Sequence, residues 1–412
     1  MTKPLSLFQG FGVELEYMIV NRETMDVLPV ADSLLKGASG EGEFWAIRGD
    51  LCWSNEIVLH VIELKTDGPA GTLAGLGEKF QSSVTEINER LAPMNGCLMP
   101  TGVHPWMNPA AETRIWPHDF NAVYSAYDRV FNCSGHGWSN LQSAHLNLPY
   151  ANDDEFGRLH AAIRLVLPIL PAIAASSPVI DGHLSGFHDT RLDFYQQNQR
   201  RIPSIIGSVI PEPIFSIKDY EEQILGRIYQ DIAPHDPDGI LRGEFLNSRG
   251  AIARFSRNAI EIRLLDVQEC PAADIAIIKA VCAIIRALVE EKFCTYGEQK
   301  RITAESLQPI FQECVRNGER AEITNREYLG LFGLGYESVM PAKEMWMHIL
   351  DDAEVEWRGA GADEALTNIL FRGTLASRMM RSLGEAPSRE RIAEVYCELC
   401  SCLAGGRVFT GV

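Results

Sequence analysis

Two glutamates, Glu14 and Glu16, stand two residues apart in the apolar run GFGVELEYMIV, residues 10–20. The valine, leucine and isoleucine around them predict a strand, in which side chains two apart share a face. Three further apolar segments carry similar groups. SNEIVLHVIELKT (54–66) holds Glu56, His60 and Glu63; NLQSAHLNLPY (140–150) puts Ser143, His145 and Asn147 on one face if it is extended. NAIEIRLLDVQECP (258–271) does the same with Glu261 and Arg263, and Asp266 follows. Carboxylates gathered on one face repel, and some must take up protons unless a cation stands among them. Hard divalent ions remove that conflict, and a set of oxygen ligands favours Mg2+ or Mn2+. Each segment alone has a plainer explanation. A single strand glutamate usually faces solvent, a single histidine such as His60 is usually a satisfied structural residue, and Glu261 with Arg263 could be an ordinary same-face ion pair. A solvated face, however, would carry Lys, Thr and Ser as freely as Glu and His. Four such segments together therefore favour a metal–carboxylate site.

The elements that must position these groups follow from hydrophobic periodicity. Strands are predicted at 11–20, 56–65, 140–148 and 259–265, and helices at 71–92, 153–175 and 272–293. The prolines of LVLPILPAIAA (165–175) suit the end of a buried helix. Beyond about residue 295 the chain is largely helical and more charged, with no strong site signal. Strands and helices mix without regular alternation, which predicts an α+β fold rather than a doubly wound sheet. KGASGEGE (36–43) is a Gly-rich loop without the GxxxxGK[ST] pattern, and no GxGxxG follows a strand. A bound nucleotide would be held by neither of those folds.

Composition narrows the class. The chain has 412 residues, 46% hydrophobic and 22% charged, within the ordinary globular range. A formal net charge of -18 argues against nucleic acid, which needs a basic surface to displace counterions. No stretch reaches the roughly 20 apolar residues of a membrane span, and MTKPLSLFQG lacks the apolar run of a signal peptide. A cytoplasmic protein is expected. Ten scattered cysteines then read as reduced, mostly buried thiols. CELCSC (397–402) has tight spacing but no partner pair nearby to complete a metal site.

GVELEY, EIVLHVIELKT, NLQSAHLNLP, SSPVIDGHLSGFHDTR (176–191) and IEIRLLDVQECP together resemble glutamate–cysteine ligase family 2, the carboxylate–amine ligases, and more distantly the glutamine synthetase superfamily. The motifs run in the family's order from about residue 8 to 292. The resemblance implies a glutamine synthetase-like catalytic fold: a mainly antiparallel curved sheet whose concave face binds metal and ATP, with helices packed on the other face. It implies a single catalytic domain over 1–412, with a motif-bearing core at about 8–292 and a helical part at about 295–412. Two or three Mg2+ or Mn2+ ions would be held by Glu14, Glu16, Glu56, Glu63, His145 and Glu261. His145 and Glu261 would complete the ion shared with one of the Glu14/Glu16 pair, and Glu56 and Glu63 the other; which of the pair joins which set is open. Arg263, on the face of Glu261, and Arg191, at the motif arginine, are the expected catalytic arginines, suited by their planar forks to phosphate or carboxylate. Arg263, Arg257 and Asn147 are expected at the nucleotide, with Arg254 a further candidate.

The reaction implied is ATP-dependent amide formation. The γ-phosphoryl group passes to a carboxylate, that of L-glutamate first among candidates, and an amine attacks the acyl phosphate. Such transfer asks for positioning and charge neutralisation more than covalent help. Small-molecule carboxylate and amine substrates are the expected partners, with no nucleic acid and no membrane; a homo-oligomer is left open. Two other readings stand beside it: a guanidino-kinase-like phosphotransferase, and a non-catalytic nucleotide- or metal-binding member. The complete acidic set argues against the last. Nothing in the sequence marks a thiol pocket, so the amine is unassigned.

Overall fold

The computed structural model describes residues 4–39, 44–359, 361 and 363–411. All four acidic segments contribute to one eight-stranded sheet in which every pairing is antiparallel. Its strands are β1 Gly12–Asn21, β2 Trp45–Arg48, β3 Leu51–Asn55, β4 Val61–Thr66, β5 Gly96–Met99, β6 Ser143–Pro149, β7 Ala251–Arg254 and β8 Ala259–Asp266. They lie in the order β2-β3-β4-β1-β6-β8-β7, and β5 pairs with the far half of β1.

Alternation along each strand separates two faces. Val13, Leu15, Tyr17 and Ile19 of β1 share the buried apolar face with Leu64, Leu146, Leu148, Ile260 and Ile262. Three helices join that core: α1 Leu76–Leu91, α2 Asp153–Val166 and α3 Pro271–Val289. In α1 the buried Leu76, Phe80, Val84, Ile87 and Leu91 recur at helical spacing and form one stripe. α3 is apolar nearly all round because it is covered on several sides, by α1, α2 and the later helix Glu364–Arg372. Asn152 caps α2, its side chain accepting from Glu155 N, and three acidic residues fill the first turn, where the helix dipole favours them. Pro168 and Pro171 end α2 as expected, in a 3-10 turn and a short helix.

The strand expected at 56–65 is shorter, β4 at Val61–Thr66, and residues 56–60 form the connection from β3. β3 and β4 form a hairpin, and residues 57–59 leave the sheet to bond segment 114–116: Leu59 N donates to Arg114 O at 2.8 Å and Trp116 N to Ile57 O at 2.9 Å. Glu56 therefore sits in the connection, not on a strand. The helix expected from 71 begins at Leu76, since Gly75 before it is left-handed with φ of 73°. Of the Gly-rich 36–43, residues 36–39 end the helix Ala31–Ser39 and 40–43 lie outside the described residues. The short strands β2, β3, β5 and β7 carry no strong pattern of their own and are made by pairing.

After 295 the chain is helical, as expected, and it is not separate from the sheet. Leu375, Met379, Ile392, Val395, Tyr396 and Leu399 pack with Met18, Val20 and Met99 of β1 and β5. Arg378 pairs with Glu269, just beyond β8, with both side chains fully buried. The ten cysteines are free thiols, eight of them buried. No helix among the described residues is long and apolar enough to cross a membrane.

Two buried histidines brace the β1–β4 region. His60 Nε2 donates to Ser139 O at 2.8 Å, and His104 Nε2 donates to Met25 O at 2.7 Å while its Nδ1 accepts from Trp106 N. Burial holds both imidazoles down to about 4. Between pH 6.5 and 4 the unfolded chain binds protons that these folded rings refuse. Their contribution to stability is therefore complete above 6.5 and drains away as pH falls toward 4. Histidine-selective NMR at pH 5.5 should show both rings still neutral with the proton on Nε2, where an ordinary histidine is largely charged; protonated rings would refute the assignment.

Candidate active site

The register brings the sequence-predicted groups onto one face. Glu16 pairs with Glu63 of β4, Glu14 with Lys65 on one side and His145 on the other, and Asn147 stands between Gly12 and Glu261. Directly paired residues on antiparallel strands point the same way. His145 Nδ1 lies 3.2 Å from Glu14 Oε2, and Asn147 Nδ2 donates to Glu14 Oε1 at 3.1 Å. Gly12 makes room for this: a Cβ there would stand 2.9 Å from Asn147 Cβ. Ser143 donates twice to Glu16 Oε2, from its backbone N at 2.7 Å and its Oγ at 2.9 Å, and its Oγ also lies 2.9 Å from His145 Nε2.

The Glu14/Glu16 pair, left undivided by the sequence, is split by geometry. Glu16, Glu56 and Glu63 each offer an oxygen within 4.8 Å of the others. Glu63 also accepts from Ser54 Oγ at 2.8 Å and pairs with the Lys65 ammonium. Burial, then the charges of Glu16 and Glu63, push the Glu56 carboxyl well above its usual range. Glu16 is raised too, by burial first and by Glu63, against His145 and Ser143. Two charges about 4 Å apart repel by about 4 kcal/mol at an effective dielectric near 20, so three carboxylates do not stay ionised there unaided. An all-oxygen set of this kind fits a hard divalent cation. Glu14 behaves oppositely. Burial, the largest influence, would raise it, as would Glu261, but the hydrogen bond and charge of His145 together with Lys65 outweigh them and hold it below the usual range. Glu261 is likewise lowered: burial is outweighed by Arg263 and Arg254. Glu14 and Glu16 in turn hold the His145 imidazole above its ordinary value despite burial and Arg263.

The arginines divide among three places. Arg263 Nε is 3.4 Å from Glu261 Oε1 yet has no hydrogen-bond partner. Arg254 pairs with Glu261 from β7, and Arg257, half exposed at the rim, reaches within 3.8 Å of Glu14 Oε1. Arg191 departs from expectation. Its guanidinium is buried, paired with Asp266, and its Nη atoms donate to Arg263 O at 3.3 and 3.4 Å, so it does not open onto the face. A buried guanidinium without a partner is costly, and Asp266 supplies one. Ser176 N and Ser177 Oγ donate to the same Asp266 carboxylate at 2.9 and 2.7 Å. The SSP…R segment is thus the clamp behind β8, where the β6 register shifts between Ile262 and Leu265. His60 stands away from the face as a structural residue. Lys65 and Ser54 are site residues beyond those expected from the sequence. Lys65 follows Glu63 by two and was within reach of the strand period, whereas the role of Asp266 is visible only once Arg191 is placed.

A broad antiparallel sheet with one carboxylate-lined face and helices on the other is a fold that this chain shares with a solved structure. The crystal structure of glutamate–cysteine ligase from Francisella tularensis in complex with AMP matches it with a TM-score of 0.58 at 12% identity, over 97% of this chain and 89% of that one. The chain belongs to glutamate–cysteine ligase family 2, whose model matches residues 10–396. An uncharacterised protein of Archaeoglobus fulgidus is 34% identical over 405 residues, spanning 97% of this chain and 99% of its own length. A protein provisionally named glutamate–cysteine ligase 2-1 from Nocardioides sp. is 24% identical over 287 residues, 69% of this chain and 68% of its own. The family supports an ATP-dependent carboxylate–amine ligase as the class of activity.

The split predicts opposite effects on stability. In chelator, Glu56→Gln removes a repelled charge and should raise Tm by about 1–3 °C, whereas Glu14→Gln weakens the His145 and Asn147 contacts and should lower it by a similar amount. Added Mg2+ should stabilise the wild type more than Glu56→Gln. Thermal denaturation of the three proteins checks this; equal shifts of the same sign would contradict the split.

Proposed function

We propose that this protein is a cytoplasmic ATP-dependent ligase, acting as one catalytic unit over residues 1–412. In this reading it activates the carboxylate of L-glutamate as an acyl phosphate and transfers the acyl group to an amine. The observation that carries the reading is the divided face: carboxylates that repel one another on β1, β4 and the connection before β4, beside carboxylates held ionised by cations at β6, β7 and β8. Glu16, Glu56 and Glu63 would hold one divalent ion, and Glu14, Glu261 and His145 a second. Held there, a divalent ion would supply charge neutralisation for phosphate oxygens.

The chain's own groups do the rest. Arg263 stands beside Glu261 on the face with its side chain a quarter exposed, and its guanidinium would offer an N–H to an oxygen of the transferring phosphoryl group. Arg191, through Asp266 and the Arg263 carbonyl, fixes the strand that aims it. The buried Asn147 Oδ1 has no partner and can accept from a nucleotide hydroxyl or an ammonium. Arg257 at the rim adds positive charge where anionic substrates enter. Helices behind the sheet keep the frame rigid, which is what in-line transfer requires.

Purified protein with ATP, Mg2+, L-glutamate and hydroxylamine should yield a hydroxamate and ADP, since hydroxylamine traps acyl phosphates. Omitting ATP or the metal should abolish it. Phosphorylation of a guanidine without hydroxamate would replace the ligase by a kinase. Arg263→Lys separates a phosphate fork from a mere ion pair. Lysine preserves charge but not the planar fork, so turnover should fall by about 10²–10³-fold; wild-type turnover would return Arg263 to a structural role.

A further inference from the structure

The CELCSC run near the C-terminus has no part in the carboxylate face, yet the fold gives it a partner that the sequence does not show. Cys397 and Cys400 lie on the helix Arg389–Gly405, three residues apart and therefore on one face. That helix packs against β5, and Cys97 of β5 rests on the apolar cluster to which Leu399 and Cys400 belong. The Cys400 S–H donates to the Cys97 sulfur, so thiols from distant parts of the chain are in contact. They do not make a three-ligand metal site. Among the described residues, the one group of three or more acidic, imidazole or thiol side chains close enough to hold an ion is Glu16, Glu56 and Glu63.

The thiols are unequal in access and in charge. Cys97 is half-buried, and Arg22 stands beside it, its Nε donating to Gly96 O at 2.7 Å. The hydrogen bond from Cys400, with the Arg22 charge behind it, outweighs burial and holds the Cys97 thiol below its ordinary value. Cys400 is buried; its hydrogen bond to Cys97 and its burial keep it protonated. Cys397 is exposed, but burial of part of its surface and the neighbouring Cys97 push its thiol up. The other seven cysteines are buried. The thiolate is the nucleophile, and oxidation selects a thiol that is both accessible and poised to ionise. Cys97 combines the two, and it has a second thiol already in contact with it.

We propose that Cys97 and Cys400 form a peroxide-reactive pair that closes to a disulfide between β5 and the last helix. The Cys97 thiolate attacks one oxygen of hydrogen peroxide, the O–O bond breaks, and Cys97 becomes a sulfenic acid as hydroxide leaves. The hydroxide takes the proton of Cys400. The Cys400 sulfur then attacks the Cys97 sulfur, the S–O bond breaks and the S–S bond forms. Two thiols and one peroxide give one disulfide and two waters. Cys97 stands opposite Val20 of β1, so the bond fastens the C-terminal helix to the strand beside the one that carries Glu14 and Glu16. The pair is separate from the carboxylate face, and the inference is independent of the ligase reading.

Peptide mapping by mass spectrometry tests it on the full chain. Reduced protein is treated with hydrogen peroxide, alkylated, and digested without reductant. A Cys97–Cys400 linked peptide should appear and be lost on adding dithiothreitol. Cys400→Ala should give no link and should leave a sulfenic acid on Cys97 that dimedone traps, whereas Cys97→Ala should give neither the link nor an adduct on Cys400. The linked wild type should melt about 5 °C above the reduced protein, as expected for closing so long a loop. The map of the wild type needs no variant, so it decides the matter even where Cys400→Ala fails to fold. Cys97 and Cys400 both recovered as alkylated thiols after peroxide overturn the pair. A Cys97–Cys397 link, or a first dimedone adduct on Cys397, overturns it equally. An unchanged Tm in protein shown to be linked overturns the fastening of the helix.

Discussion

The structure turns on one constraint: mutually repelling carboxylates must be held side by side on a surface that does not yield. β1 meets it through alternation. Val13, Leu15 and Tyr17 are fully buried against helices, and that burial fixes the register that sets Glu14 and Glu16 on the opposite face. A slip of one residue would exchange the two sets, placing carboxylates in the core and apolar side chains at the site. The cost of such a slip is what makes the charged face rigid. Its neighbours are chosen accordingly. Lys65 and His145 flank Glu14, Ser54 and Lys65 hold Glu63, and Ser143 holds Glu16, so that much of the charge is partly met before any ligand arrives.

Buried ion pairs serve the frame in another way. Arg191 with Asp266 and Arg378 with Glu269 lie one after the other along the end of β8 and the residues after it. Replacing such pairs by apolar groups is often neutral, but breaking one leaves a buried charge and costs about 3–5 kcal/mol. They specify position more than they add stability. The first ties the SSP…R segment to the carbonyl of Arg263, and the second ties the C-terminal helices to the same strand. The helical part beyond 295, which carries no site motif, thereby shares in the placement of the site.

The face has a polarity that follows from its edges. At β2 it ends in exposed apolar side chains, and at β7 and β8 it ends in guanidinium groups. This is a property of strand order, because β2 and β8 are far apart in the chain and are brought to opposite sides by the pairing β2-β3-β4-β1-β6-β8.

The amino-acid sequence by itself determined which side chains face together within a strand. Periodicity of two along 12–21, 143–149 and 259–266 was enough to set Glu14 with Glu16, His145 with Asn147, and Glu261 with Arg263. It also determined the buried helices, whose apolar stripes are local, and five ordered motifs were sufficient to indicate the family. Tertiary structure alone decided how the strands stand beside one another. Whether Glu16 or Glu14 joins Glu56 and Glu63 depends on the register of β1 against β4, and register is a contact between distant segments. The placement of Glu56 depends on residues 57–59 bonding to 114–116, and the commitment of Arg191 depends on Asp266 lying opposite it in the fold.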